Sequence, residues 1–408
     1  MKKNSTIKLG ILIIVILSII FYIIYPILSP INFPLDVDYI DSGKFSDCYL
    51  VSNVNEPVRI IDKMGTIKWE TDLNGFFVHD CDILPNGNVL IADTSNNRVI
   101  EVDINDPSKI VWSWDASNIN DINWTRFFKE NGFGNVELPP QNLYYAKAWT
   151  HLNDVDFISG ISRGVDYDSI LISLSWFNMI VEVNYSSQKE IVWWYGHPNK
   201  PEIINHQHNP DLLKNGNMII CDSGNNRIIE INSNTKEIIW ELKFQFPRGT
   251  FRTPRDCDYI GKGRYLITDS FNNRILIYSR NTNQIVKEIR SPLFINPYEA
   301  DLLKDNKTIM IGGAMNNCIM FFDLNTGMLK HIIGFNNYFA VFYAIILFVL
   351  AYYIYQLFFL IKRSKNEKWV LIKYHEFFST LFYCFICLLT LYYFNYWVIF
   401  LWRIIILG

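Results

Sequence analysis

The stretch HDCDILPNGNVLIADTSNNRVIEVD, residues 79–103, returns as HNPDLLKNGNMIICDSGNNRIIEIN at 208–232 and as RDCDYIGKGRYLITDSFNNRILIYS at 255–279. Self-similarity of this kind sets the architecture before any single residue is weighed. Weaker copies start at Asp47 (DCYLVS), Asn153 (NDVDFIS) and Tyr298 (YEADLLK), and each unit closes on a run such as TIKWE, KIVWSW, EIVWWY, EIIWEL, QIVKEI or MLKHII. Cys48, Asp82, Asp156, Asp211, Asp258 and Asp301 are taken as equivalent positions, which gives six units. The step between the first two is 34 residues and the next is 74, so insertions fall in loops.

Within a unit an apolar run meets an Asn-Gly turn (Asn86-Gly87, Asn215-Gly216), a second apolar run, an Asn-Asn pair and two further β-rich runs. Asn-Gly between apolar runs is a hairpin signal, because both residues tolerate positive φ. Four short antiparallel strands per unit, with no helical period inside it, predict an all-β, six-bladed β-propeller over residues 31–335. The Trp, Ile and Val of the closing runs are expected to pack between blades. The Asp93-Thr-Ser-Asn-Asn, Asp222-Ser-Gly-Asn-Asn and Asp269-Ser-Phe-Asn-Asn segments read as turns in which Asp and Asn bond their own backbone, in preference to calcium loops.

The 50% apolar content of this 408-residue chain is unevenly spread, with long uncharged runs outside the propeller at the two ends. Residues 1–30 hold a cytoplasmic tip and an uncharged run, Leu9 to Leu28, behind Lys2, Lys3 and Lys8. About 20 helical residues cross a bilayer core of roughly 30 Å, and YPILSP lacks the small-residue site of a cleaved signal, so an anchor is expected. Residues 336–408 hold two more apolar spans, about 338–361 and 377–402, around KRSKNEKWVLIK. Basic loops stay in the cytoplasm. Lysines at both places therefore predict a multi-pass cell-membrane protein with three transmembrane helices, membrane lipid around them and an extracytoplasmic propeller.

A net charge of −3 without a basic stripe gives nucleic acid no footing as a partner. Cys48, Cys81 and Cys257 recur at one strand position and read as buried thiols, and no paired CxxC or His set marks zinc.

Counting three residues back from the equivalent positions gives Phe45, His79, Asn153, His208, Arg255 and Tyr298, with His151 and His206 two residues further back in their blades. In a propeller this junction rims one mouth of the central channel. Imidazole N–H groups and a guanidinium fork there suit a tetrahedral oxyanion. Arg255 in the same ring argues against a metal, and no cofactor is expected. Residues 115–150 enter just ahead of His151 and are expected to form a lid whose Trp124, Phe127, Phe128, Tyr144, Tyr145 and Trp149 line an aryl pocket.

His79-Asp80 before a PNGN hairpin, His151-Leu-Asn153 before the DSILIS strand and Gln207-His208 before the next inner strand together resemble the arylsulfate sulfotransferase (arylsulfotransferase, ASST) family of six-bladed propellers. The resemblance covers roughly Asp47 to Gly334. It implies a nucleotide-independent transferase that passes a sulfuryl group from an aryl sulfate to a phenolic or other hydroxyl acceptor. It also implies that His208 is the nucleophile, carrying the group as sulfohistidine, that His79 and His151 bind the anion, and that Asn153 is a polar neighbour. The family has an Arg near the end of the inner strand after the second His, where this chain has Ser175-Trp176-Phe177. Arg255 is the expected substitute, with Arg252 behind it, and His206, Tyr298, Trp149 and Trp176 are read as substrate-binding. A non-catalytic NHL-like binding or scaffold propeller is the alternative. Donor, acceptor and assembly state stay open at this level.

Overall fold

The computed structural model describes residues 31–54, 56–71, 77–138, 148–244 and 250–334. Six four-stranded antiparallel sheets follow one another: blade 1 (Val37–Glu70), blade 2 (Cys81–Asp115), blade 3 (Leu152–Gly196), blade 4 (His208–Leu242), blade 5 (Pro254–Ile289) and blade 6 (Glu299–Ile333). Each blade is one uninterrupted stretch of chain, with its strands in sequence order from the innermost outward. The expected six-bladed propeller is present. The three expected membrane spans, and Tyr144 and Tyr145, lie outside the described residues; among the described residues no helix is long and apolar enough to cross a membrane.

The hairpin signals are met. Gly87 and Gly216 take φ of +89° and +82°, and the Gly87 N–H bonds the Leu84 carbonyl at 2.8 Å to close the turn. In the second and third strands of a blade, alternate side chains face opposite neighbours, as a period of two requires. Leu90 joins Ile170 and Val181 between blades 2 and 3, while Val89 and Ile91 join Leu50 and Ile60 between blades 1 and 2. An apolar cluster of this kind fills each of the six seams, including the one between blades 6 and 1, where Met310 and Ile319 meet Val51 and Ile61.

The Asn-Asn-Arg elements do two jobs. A short 3-10 turn leads to an Asn in the left-handed region, as at Asn97 (φ 55°), while Asp93 accepts from Asn96 Nδ2 at 2.9 Å and Arg98 Nε at 2.7 Å. This turn chemistry recurs around Asp222 and Asp269. The left-handed Asn of these turns, matched by Asn178 and Asn317 in blades 3 and 6, then reaches the next blade: Asn97, Asn178, Asn226, Asn273 and Asn317 accept from the main-chain N–H of Thr150, His206, Thr253, Asn296 and Phe33 at 2.8–3.1 Å. The last of these bonds closes the ring.

Two expectations are corrected. The innermost strand of blade 1 is Val37–Ile40, and Cys48 begins its second strand, paired with Ile40. Asp38, not Cys48, is therefore the equivalent of Asp82, and Leu35 rather than Phe45 comes to the channel mouth. The outermost strands do not sit wholly between blades either. Trp69 and Trp114 are buried, but Ile67, Ile110, Val111, Ile238, Ile239 and Leu329 on those strands are exposed, as befits the ring's outer edge.

Candidate functional site

Irregular entries to the inner strands set the site. Register shifts fall at Asn153, at Asn209 and Pro210 between His208 and Asp211, and at Arg255, and the ladder skips Asn153, Asn209, Pro210 and Arg255. A bulge re-aims side chains that strict alternation would send elsewhere. Here it lets two consecutive residues, such as Arg255 and Asp256, both line the channel.

The ring residues meet at one mouth. His79 Nε2 is 3.2 Å from His151 Nε2, and the Tyr298 hydroxyl is 3.2 Å from His79 Nε2 and 3.2 Å from His208 Nε2. His208 Nδ1 lies 3.0 Å from the His206 carbonyl and 3.1 Å from Ser223 Oγ. A carbonyl only accepts, so Nδ1 carries the hydrogen and the Nε2 lone pair faces the channel. Ser223 donates its own hydrogen to the Pro254 carbonyl, which leaves its oxygen free to receive that of His208. Nothing in the linear sequence marks Ser223 for this task; it is the residue after Asp in the shared turn.

Arg255 lays its guanidinium 4.0 Å from the Tyr298 ring centroid and 5.3 Å from that of Phe271. Its Nε has no hydrogen-bond partner, and no carboxylate pairs with it among the described residues. Trp176, in the middle of the blade 3 turn, stacks on His151 at 4.7 Å and 11° while remaining 42% exposed. Asn153 donates from Nδ2 to the Gln207 carbonyl at 2.9 Å, tying blade 3 to the residue before His208.

Burial depresses every imidazole here. His151 falls to about 3, first by burial and then through His206 and Arg255. His79 and His208 lie well below the usual imidazole value by burial, with Arg255 adding to the effect. The imidazoles are thus neutral near pH 7. Burial holds the Tyr298 phenol up at about 12, so it stays a donor.

Arg252 and Trp149 do not join this group. Arg252 is exposed, and its main-chain N–H bonds Asp269. Trp149 is 9% exposed, edge-on to Phe177 at 5.3 Å and bonded through Nε1 to Ser117. The described part of the expected lid is packed likewise: helix α1 (Trp124–Glu130) buries Trp124 and Phe128 against Phe177 and Phe127 against Trp194. His206 itself is exposed and serves through its carbonyl.

Beneath the histidines the channel is lined by carboxyls two residues apart on the inner strands. Asp36, Asp80, Asp154, Asp256 and Glu299 share one cavity with His79, His208, Arg255 and Tyr298. Asp38, Asp82, Asp156, Asp211, Asp258 and Asp301 follow one pleat deeper. The upper ring clasps the blades together. Asp36 accepts from the Cys81 N–H at 3.0 Å, Asp80 from Val155 at 2.6 Å, Asp256 from Ala300 at 2.8 Å and Glu299 from Val37 at 3.1 Å. Asn209 fills the same place in blade 4 and accepts from Cys257 at 3.4 Å. These aspartates recur in the sequence, but their partners are backbone groups of another blade, which leave no mark there.

The arylsulfotransferase (ASST) family model matches residues 35–202, which take in blades 1 to 3 with His79, His151 and Asn153 and stop short of His208. No curated protein matches the chain. Among solved structures, a streptogramin B lyase is 14% identical, with 74% of this chain and 83% of that one covered and a TM-score of 0.47. A virginiamycin B lyase from Staphylococcus aureus is also 14% identical, covering 74% and 84%, with a TM-score of 0.48.

Proposed function

We propose, from the arylsulfotransferase match over the first three blades, that this chain is a nucleotide-independent sulfotransferase taking the sulfuryl group of an aryl sulfate to a phenolic or other hydroxyl acceptor. The observation that carries the reading is the bond from His208 Nδ1 to the His206 carbonyl, which leaves Nε2 unprotonated toward the channel. In the first half-reaction that lone pair attacks sulfur, the aryl C–O–S linkage breaks at S–O, and the phenolate leaves. In the second, the acceptor oxygen attacks the sulfohistidine and His208 is regenerated. The acceptor's proton balances the one taken up by the departed phenolate, so an aryl sulfate and an alcohol become a phenol and a new sulfate ester.

Transfer of this kind asks for fixed donors around the equatorial oxygens more than for covalent steps. At the channel mouth Arg255 supplies a positive charge that no carboxylate pairs with among the described residues, in place of the arginine that the family has near Trp176. His79, His151 and the Tyr298 hydroxyl supply neutral donors, and Asn153 holds the His208 strand through Gln207. Trp176 offers its exposed face to the aryl ring. We place the propeller outside the cytoplasm, held by three spans, on the lysine distribution at the two ends of the chain.

The test is release of phenol from a chromogenic aryl sulfate in the presence of an acceptor. The intact protein is expected to turn over and His208→Ala to be inactive, with acid-labile label on His208 when the acceptor is left out. Arg255→Ala is expected to lose on the order of 10² to 10³ in kcat/KM. Absence of turnover in the intact protein across several donors and acceptors would leave the non-catalytic binding propeller as the reading.

A further inference from the structure

The upper carboxyl ring has one break. In blades 1, 2, 5 and 6 the ring carboxyl accepts the N–H of the residue after its counterpart in the next blade, and by that rule Asp154 should meet residue 210. Residue 210 is proline, which has no N–H. Asp154 Oδ2 accordingly has no partner, although Asp154 is only 8% exposed. Asp256 Oδ1, on a residue 1% exposed, and Asn153 Oδ1, on a residue 4% exposed, are also without a donor. All three residues border the same cavity. It thus holds three buried acceptor oxygens without a donor, beside the likewise unpartnered Nε of Arg255.

The carboxyls crowd one another as well. Asp36, Asp80 and Glu299 line the same cavity, and burial together with neighbouring carboxyls raises all three, as it raises Asp258 and Asp301 in the deeper ring. Buried carboxylates crowded in this way repel, which favours holding protons. Among the described residues no three His, Cys, Asp or Glu side chains stand as a preformed metal cluster, as fits carboxyls engaged with each other and with the main chain. Once those protons leave, the same oxygens face each other across a narrow channel, and the single charge of Arg255 at its mouth falls short of offsetting theirs.

We propose that the channel beneath the histidine cluster takes up a divalent cation of the hard, oxygen-seeking class in exchange for carboxyl protons. Carboxylate oxygens, an amide oxygen and water are the ligands such ions use, and flexible coordination at mixed oxygens favours calcium over magnesium. Charge balances when one ion enters and two carboxyl protons depart to solvent, so uptake strengthens as pH rises. The ion also removes a negative field from under an anion site.

The test needs no sulfuryl transfer, so its outcome is independent of the enzymatic reading. Chelator-stripped protein is melted at about pH 5 and about pH 8.5 with CaCl2, with MgCl2 and with NaCl at matched ionic strength. Calcium is expected to raise Tm on the order of 5 °C at the higher pH and to leave it unchanged at the lower. Titration calorimetry in two buffers of different ionisation enthalpy should report proton release on the intact protein. Asp154→Asn and Asp211→Asn should each weaken the calcium response, and a magnesium response of the same kind supports the proposal while widening the ion. A calcium response no larger than that of sodium, or calcium binding without proton release, overturns it.

Discussion

His208 is the residue on which the reading turns, and its orientation comes from groups with no chemistry of their own. The His206 carbonyl and Ser223 hold Nδ1, and Tyr298 caps Nε2. Five of the ring residues (His79, Asn153, His208, Arg255 and Tyr298) were legible because repetition puts equivalent positions side by side. Ser223 was not, because a serine after Asp is also what the turn wants. Trp176 stands beside His151 with one face open, so Trp176→Ala should raise KM for aryl sulfates by roughly 3- to 10-fold, the worth of one aromatic contact, with kcat nearly kept. Initial rates over a range of donor concentration would show it, and an unchanged KM would move the aryl pocket elsewhere on the mouth.

Between residue and ring stands the blade seam. The second Asn of each Asn-Asn-Arg element was legible as turn chemistry, yet its bond to the next blade was not, since sequence repeats tell of a unit and not of what the unit touches. Asn97 receives both the N–H and the hydroxyl of Thr150 at 3.0 Å. Asn97→Ala leaves those buried groups unpaired and puts alanine, which tolerates the left-handed region less well than asparagine, at φ 55°, so a loss of about 2 to 4 kcal/mol is expected in urea unfolding. A change within experimental error would mean that water replaces the amide. The first blade was misplaced for a related reason: Asp47-Cys48 imitates the Asp-Cys of blades 2 and 5, while the true inner strand, VDYI, is short and carries no such label. The segment ahead of His151 misled differently, because large aromatic residues suit a pocket wall and a packed core equally, and Trp124 is 2% exposed.

For the molecule as a whole, the carboxyl rings make stability a function of pH. Burial and the neighbouring carboxyls raise Asp36 from 3.8 to about 7, and burial first raises Asp80 to about 8. These groups stay protonated in the fold while ionising in the unfolded chain, so between about pH 4 and 8 the folded state binds more protons. Their contribution is whole below the unfolded value and is lost as pH climbs through 7 and 8, so without divalent ions Tm should fall from about pH 5 to pH 8.5. Scanning calorimetry over that range checks the sign, and a rising Tm would show that the carboxyls are ionised in the fold. None of this was legible beforehand, because the acidity of a side chain depends on what surrounds it.

Since every blade is drawn from one unbroken stretch, none is completed by a strand borrowed from the far end of the chain, and the ring has no latch. Its two ends also lie side by side: a methyl added at Gly334 would come within 3.0 Å of Ile31 Cδ1. A circularly permuted propeller, with those ends joined by a short linker and new ones opened in the loop between blades 5 and 6, is therefore expected to fold and to keep its melting temperature within a few degrees. Which blade is made first is an accident of the gene, and the circle would not know where it starts.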